Sequence, residues 1–434
     1  MKIFAYILTA LSYGVLGAHF FRNGEYGLVF VSIVLPLLLL TKKRTILYIV
    51  SGCLALGSLE WLSTATSLYQ FRQLMGMPAT RMLIILSAVG AITLLSGLVL
   101  HSDSVKKNHK KTKHDVAAVS AFFLTALLLG FASIKTDFPI LLLERFIPTS
   151  GWVEIFVLSL YASFITKKML DTNKSDLWRK RIWTIFSVVF FSQLILGLLG
   201  YETFLMTGKL HIPVPAIILA GPLYRWELSF MVFLFLGSLI VSGPAWCSYL
   251  CYFGVWDNHA STVKKHPGFF TKYLWHIRIG LFMLFALTAV TLNLAGVSAV
   301  TAGVIGILAG ALGIAVIIVF SRKLGFMAHC NLYCPIGLAA VVLGRISPFR
   351  IKINDDCTSC MKCRYKCRYN ALDFDDIKKG KPNLNCTLCG DCIPVCDANS
   401  INYRFLKLSP EKARILFIVI IVSLHAVFLG VGRI

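Results

Sequence analysis

Charged side chains are scarce in this chain. Asp, Glu, Lys and Arg make up 15% of its 434 residues, against roughly a quarter in soluble globular domains. That shortage excludes an ordinary water-soluble protein. Acidic residues are the rarer sign, 20 against 43 basic ones. No file of Asp, Glu and Lys runs through the apolar stretches, which argues against an ion path across a bilayer. No two histidines share a helix at haem spacing. The first hundred residues hold one cysteine, Cys53, which reads as a small packing residue. No small-residue cleavage site follows the first apolar run, so that run is expected to be a span and not a cleaved signal.

Hydrocarbon takes the place of charge. The chain is 57% hydrophobic, with a mean hydropathy of +0.75. Apolar runs near 3–21, 28–41, 46–64, 82–100, 116–134, 152–166, 182–200, 227–246, 277–296, 302–320 and 413–431 are candidates to cross roughly 30 Å of lipid. The fold class expected is an all-α polytopic membrane protein of about eleven transmembrane helices. Basic residues concentrate in alternate loops. With the N-terminus cytoplasmic, one face holds Lys42, Lys43 and Arg44, then Lys106, Lys107, Lys110, Lys111 and Lys113. It also holds Lys167, Lys168, Lys174, Arg179, Lys180 and Arg181, then Lys264, Lys265, Lys272, Arg322 and Lys323. The other face has only Arg22, Arg72, Arg81, Lys135, Arg145, Lys209 and Arg225. This asymmetry predicts a cytoplasmic N-terminus in a bacterial inner membrane. It accounts for the net charge of +23 without a nucleic-acid partner; membrane lipid is the surface expected.

Five segments follow. Residues 1–105 form a bundle of about four spans, and 106–115 a basic cytoplasmic linker. Residues 116–345 form a six-helix membrane core, 346–406 a polar insert, and 407–434 a last span. The insert carries CTSCMKCRYKC at 357–367 and CTLCGDCIPVC at 386–396, the only internal repeat read from the sequence. Cytoplasmic thiols stay reduced, so a disulfide framework is not expected. Zinc sites pair two C-x-x-C knuckles without a third Cys at the same interval. The C-x-x-C-x-x-C-x-x-x-C run suits a cubane whose fourth thiolate comes from the other repeat. One [4Fe–4S] cluster is thus expected on Cys357, Cys360, Cys363 and Cys396, and a second on Cys386, Cys389, Cys392 and Cys367, in a small α+β two-cluster ferredoxin-like insert. Arg368 and Asp397 stand where Pro usually follows the fourth Cys. Arg368 is expected to favour a reduced cluster and Asp397 to oppose it. Lys362, Arg364, Lys366 and Arg368 form a basic patch, either solvated or a docking site for an acidic carrier.

Four more cysteines come in two pairs, Cys247 and Cys251 in PAWCSYLCYFGVWDN, and Cys330 and Cys334 in MAHCNLYCPIGL. Each pair is spaced i, i+4 and would share one face of a helical turn. Each follows a span ending on the cytoplasmic face, so the four are candidates for a third iron–sulfur or iron centre at that surface. Together with SPFRIKINDDCTSC through CTLCGDCIPVC, these motifs resemble the NapH/NosR-type membrane ferredoxins over roughly 116–406. Tyr252 follows the first pair where the second keeps Pro335. The resemblance implies electron relay between the quinone pool and a partner redox protein.

The chain is therefore expected to be a membrane-bound electron-transfer protein, a subunit of an oxidoreductase complex such as a quinol dehydrogenase. Its donor would be quinol or a cytoplasmic protein. The rival expectation is a redox sensor or a maturation factor for a partner metalloenzyme, whose clusters titrate without steady quinol turnover. Haem is not expected, although His19, His276, His329 and His425 lie in or near spans. His329 precedes Cys330 and is a candidate to tune or ligate whatever sits there. In 208–227, His211, Arg225 and Glu227 are candidates to bind a quinone head; the competing reading is an interfacial or re-entrant anchor. Glu60 and Trp61 are open to the same two readings, with Glu60 expected to pair with Arg72 or Arg81.

Overall fold

The computed structural model describes residues 2–205, 214–228, 230–268 and 273–431. Lys209, His211, Pro213 and Lys272 lie outside the described residues. The chain is mainly helical, with one two-stranded sheet. Among the described residues, nine helices are long and apolar enough to cross a membrane, against the eleven expected. The other two expected spans are also helical but differ in kind. Tyr26–Leu38 has 13 residues, with Pro36 in its last turn. Gly151–Leu170 carries Glu154, Lys167 and Lys168, too much charge for a purely apolar crossing.

The chain divides into two compact units, Met1–Lys167 and Lys168–Ile434. In the first, Tyr13, Leu16, Leu47, Leu54 and Trp61 belong to one core. Arg44–Leu74 packs along Thr80–Val99 at close range, because Gly90 faces Trp61 and Gly97 faces Ser51 with no room for a larger side chain. The segment expected as a linker is folded. Lys110 exchanges backbone hydrogen bonds with Lys42 and Arg44, and buried His109 donates to the Val105 carbonyl at 2.9 Å. Asp115 accepts from Thr45, Thr112 and Lys167, each at 2.6 Å. Glu60 departs from expectation: it faces His19 at 3.4 Å, while Arg72 donates to the Pro78 carbonyl.

In the second unit the last helix, Pro410–Val431, is enclosed, with buried residues from Ala413 to Gly430. It packs against Ser175–Leu198, Phe230–Ser242 and strand β2 (Ile401–Phe405). Strand β1 (Phe349–Ile353) pairs antiparallel with β2, from Phe349↔Phe405 to Ile353↔Ile401, so the two ends of the insert close on each other. Short helices Lys362–Lys366 and Phe374–Lys378 lie between them, the second held by an Asp373–Asp376 capping box.

Both segments bearing cysteine pairs turn back into the helical body instead of ending at its edge. Along Ser175–Leu198, Arg179 meets the Ser248 carbonyl, Trp183 donates to the Cys251 carbonyl at 2.7 Å and Ser187 to that of Tyr252. Tyr252 then stacks on Phe190 at 4.0 Å. The segment therefore advances about 16 Å along that helix, and Gly254–Thr262 returns, with His259 beside Thr184. The second segment retraces Ala299–Leu324. Ala328 N–H donates to Ser321, His329 Nδ1 to the Gly313 carbonyl and Tyr333 Oη to that of Ala309, about 18 Å of retreat. The hairpins meet where Asp257 accepts the Cys330 N–H at 2.9 Å and Phe253 stacks on His329.

The insert is held to this body by Arg179. Its Nε and Nη2 donate to the two carboxylate oxygens of Asp391, both at 2.6 Å, and its side chain is fully buried. Asp391→Asn leaves that guanidinium without its counter-charge and is expected to cost ~3–5 kcal/mol. Arg179→Met/Asp391→Leu removes both charges and is expected to melt, in detergent, closer to the parent than either single variant. Equal losses in the single and double variants would contradict this.

Candidate functional site

The two repeats fold alike. In each, the residues flanking the second cysteine are left-handed: Ser359 and Met361 in the first, Leu388 and Gly390 in the second. Asn370 and Asn399, each three residues past a fourth cysteine, are left-handed as well. Such φ values cost of order 1–3 kcal/mol in a non-glycine residue and persist only where the surroundings hold them. They bend each loop so that its thiols face a common interior.

That interior mixes the repeats. Cys357, Cys360 and Cys363 line one recess together with Cys396, and Thr358, Ile377 and Val395 complete the wall. Cys367, from the first repeat, lies within electrostatic reach of Cys386, Cys389 and Cys392. Backbone N–H groups point at the sulfurs: Ala371 donates to Cys367 Sγ at 3.4 Å, Leu388 to Cys386 and Asp391 to Cys389. Burial pushes the Cys363 thiol up to about 11 and that of Cys386 up to about 12. Both therefore stay protonated near neutral pH until a metal displaces the proton. Among the described residues, no group of three or more His, Cys, Asp or Glu side chains is set to hold a single metal ion.

The two cysteine pairs also come together. Cys247, Cys251, Cys330 and Cys334 are buried, and each lies within electrostatic reach of the other three. Neither pair lies on a simple α-turn, as the i, i+4 spacing had implied. The N–H of Cys251 bonds the Trp246 carbonyl and that of Cys334 the His329 carbonyl, a five-residue π-type closure in both. Sequence reasoning missed a second repeat here, C-x-x-x-C-x-x-G. A Cβ on Gly254 would lie 2.9 Å from the Cys247 carbonyl, and one on Gly337 2.5 Å from that of Cys330. The recurring Gly three residues past each pair was the available signal. Tyr369, a residue of the insert, reaches toward the pair cysteines: its hydroxyl donates to the Cys247 carbonyl at 3.4 Å, and it shares a core with Cys330, Cys367, Cys386 and Cys389.

Other candidates fall elsewhere. His425 is buried and donates to the Tyr249 carbonyl at 3.3 Å, while His276 is exposed. His19 packs against Trp61 with the rings tilted, centroids 4.7 Å apart. The stretch around Arg225 is a helix, Pro215–Arg225, packed on Leu274–Leu294, Ala299–Val316 and Pro335–Leu343. Its first residues meet Cys334, His329 and Gly310, while at its far end Tyr224 reaches the Val297 carbonyl. It therefore runs partway along the bundle, as a re-entrant segment would. Arg225 and Glu227 sit at that far end, exposed.

The basic patch is largely engaged. Lys362 pairs with Asp397, and Lys366 with Asp176 at 2.7 Å. Arg368 donates to the carbonyls of Ser261, Lys264, Lys265 and Gly325, so it clamps the insert to both cysteine hairpins. Arg368→Met is expected to speed limited proteolysis within 354–400, since hydrogen bonds to a charged group are the stronger kind. Lys362→Ala breaks only an exposed pair and is expected to leave the cleavage rate unchanged. Equal rates in the two variants would remove the clamp from Arg368.

No family model matches the chain, and no solved structure matches it. Parts of it are similar to two uncharacterised proteins of Methanocaldococcus jannaschii. One is 32% identical over 100 residues, which cover 22% of this chain and 40% of that protein. The other is 22% identical over 180 residues, 40% of this chain and 69% of that protein. The chain thus matches less than half the length of the first relative.

Proposed function

We propose that this chain is a membrane-bound iron–sulfur electron-transfer protein of the NapH/NosR type. Its insert would hold two [4Fe–4S] clusters, one on Cys357, Cys360, Cys363 and Cys396, the other on Cys386, Cys389, Cys392 and Cys367. The observation that carries the reading is the exchange of fourth thiols: Cys396 faces the recess of the first repeat, and Cys367 faces the thiols of the second. This exchange is what two-cluster ferredoxins need. The donor chemistry fits as well. A cubane spreads its thiolates over separate irons, which agrees with thiols that gather without converging on one ion.

When bound, such clusters supply reversible one-electron transfer. The residues of the chain do the rest. Cys363 and Cys392 lie buried on the inner side of their sets while Cys360 is exposed, and N–H groups aimed at sulfur favour the anionic thiolate. Cys363 and Cys392 lie within electrostatic reach of each other, so the two sets are neighbours, and Tyr369 extends the row toward the helical body. On this reading the basic loops and the insert face the cytoplasm of a cell membrane. Electrons pass between a cytoplasmic donor or the quinone pool and a partner redox protein, in a complex of which this chain is one subunit.

Iron and acid-labile sulfide, measured on full chain purified anaerobically in detergent, are expected at about eight or more per chain. Cys396→Ser is expected to alter the same reduced-state EPR signal as Cys360→Ser, and Cys367→Ser the same signal as Cys389→Ser. A zinc-rich, sulfide-free preparation would sink the proposal. Signals that group within each repeat would refute the exchanged ligands.

A further inference from the structure

We infer that Cys247, Cys251, Cys330 and Cys334 together hold an iron–sulfur cluster inside the helical body, separate from the insert. The inference goes beyond the two insert clusters and stands on its own residues. All four thiols are buried and mutually within electrostatic reach. They come from two hairpins of the same build, each closed by the π-type bond, each with a glycine against the carbonyl of its first cysteine.

Two further observations point to a ligand. The second cysteine of each pair accepts N–H groups from the residues two and three positions on, Phe253 and Gly254 for Cys251, Ile336 and Gly337 for Cys334. Sulfurs of the insert receive N–H donors in the same manner. The second observation is Arg278, which is 2% exposed. It donates to Asn385 at 2.8 Å and to the Cys330 carbonyl at 3.4 Å, and its Nε has no partner. Among the described residues it forms no ion pair with a carboxylate. The groups able to balance its charge are Cys247, Cys330 and Cys334, its electrostatic neighbours. A buried cation without a counter-charge is strongly unfavourable. A cluster bearing four thiolates carries net negative charge and resolves that cost, whereas four protonated thiols do not.

The test is iron and acid-labile sulfide per chain, on anaerobic full-length protein beside Cys247→Ser/Cys251→Ser and Cys330→Ser/Cys334→Ser. About ten to twelve irons, falling to about eight in both variants, is the expected result, since two cubanes account for about eight. About eight in all three proteins overturns the inference and leaves the insert clusters standing. With all eight insert cysteines changed to Ser, about two to four irons are expected to remain; retention of the parent's full iron would support the inner centre while removing the other reading. Because a variant can fail to fold, Mössbauer spectra of the ⁵⁷Fe-enriched parent give an independent answer. Iron–sulfur absorption area above about eight irons per chain is expected, and its absence, or disulfides within the pairs of the anaerobic protein, overturns the inference.

Discussion

A single buried ion pair organises the second unit. Arg179 sits on the apolar helix Ser175–Leu198, and Asp391 lies between Cys389 and Cys392 in the insert. The guanidinium also bonds the Ser248 carbonyl and lies over the rings of Trp183 and Tyr249, at 5.0 and 6.0 Å. Helix, hairpin and insert therefore share one fixed point. A charge with no exposed surface must be paired, and the fork geometry of arginine allows few arrangements. The register among these three elements follows from that requirement.

Arg278 repeats the device on a second helix. It joins Asn385, just before Cys386, to the carbonyl of Cys330. Each arginine thus links a residue beside the second cysteine set to the backbone of one hairpin. The parallel extends to the hairpins. Non-helical backbone inside an apolar bundle is tolerated only where its polar groups find partners. Here Trp183, Ser187 and Asp257 supply some of them, and Tyr333 anchors its own loop by donating to the Ala309 carbonyl. Polar side chains of the helices and of the hairpins themselves hold two irregular loops, each presenting two thiols.

Much of this was legible in the sequence, and the exceptions are instructive. The helical stretches were visible because apolar runs of span length have few other structures open to them. The place of Cys396 beside Cys357, Cys360 and Cys363 was legible because the fourth Cys of such a run serves the other repeat in two-cluster ferredoxins. The basic patch was misread, since Lys366 and Arg368 find partners on Asp176 and on four carbonyls remote in sequence. Glu60 was given the wrong partner for the same reason: His19 lies on another helix, 41 residues away. The 106–115 stretch looked like a tether because its composition is polar, yet its backbone pairs with Lys42 and Arg44.

Composition and spacing by themselves determined that the chain is helical and apolar, that eight cysteines fall in two runs of equal spacing, and that four more come in two like pairs. These are local or periodic properties, set by hydrocarbon length and by the reach of a short loop. Only the tertiary structure decided that the paired cysteines turn inward and meet, that Tyr369 of the insert reaches them, and that Arg179 and Arg278 tie each helix to a hairpin. Those outcomes depend on which buried charge finds which partner across fifty residues or more, 69 for Arg179 and Ser248 and 52 for Arg278 and Cys330, and no local pattern encodes that choice.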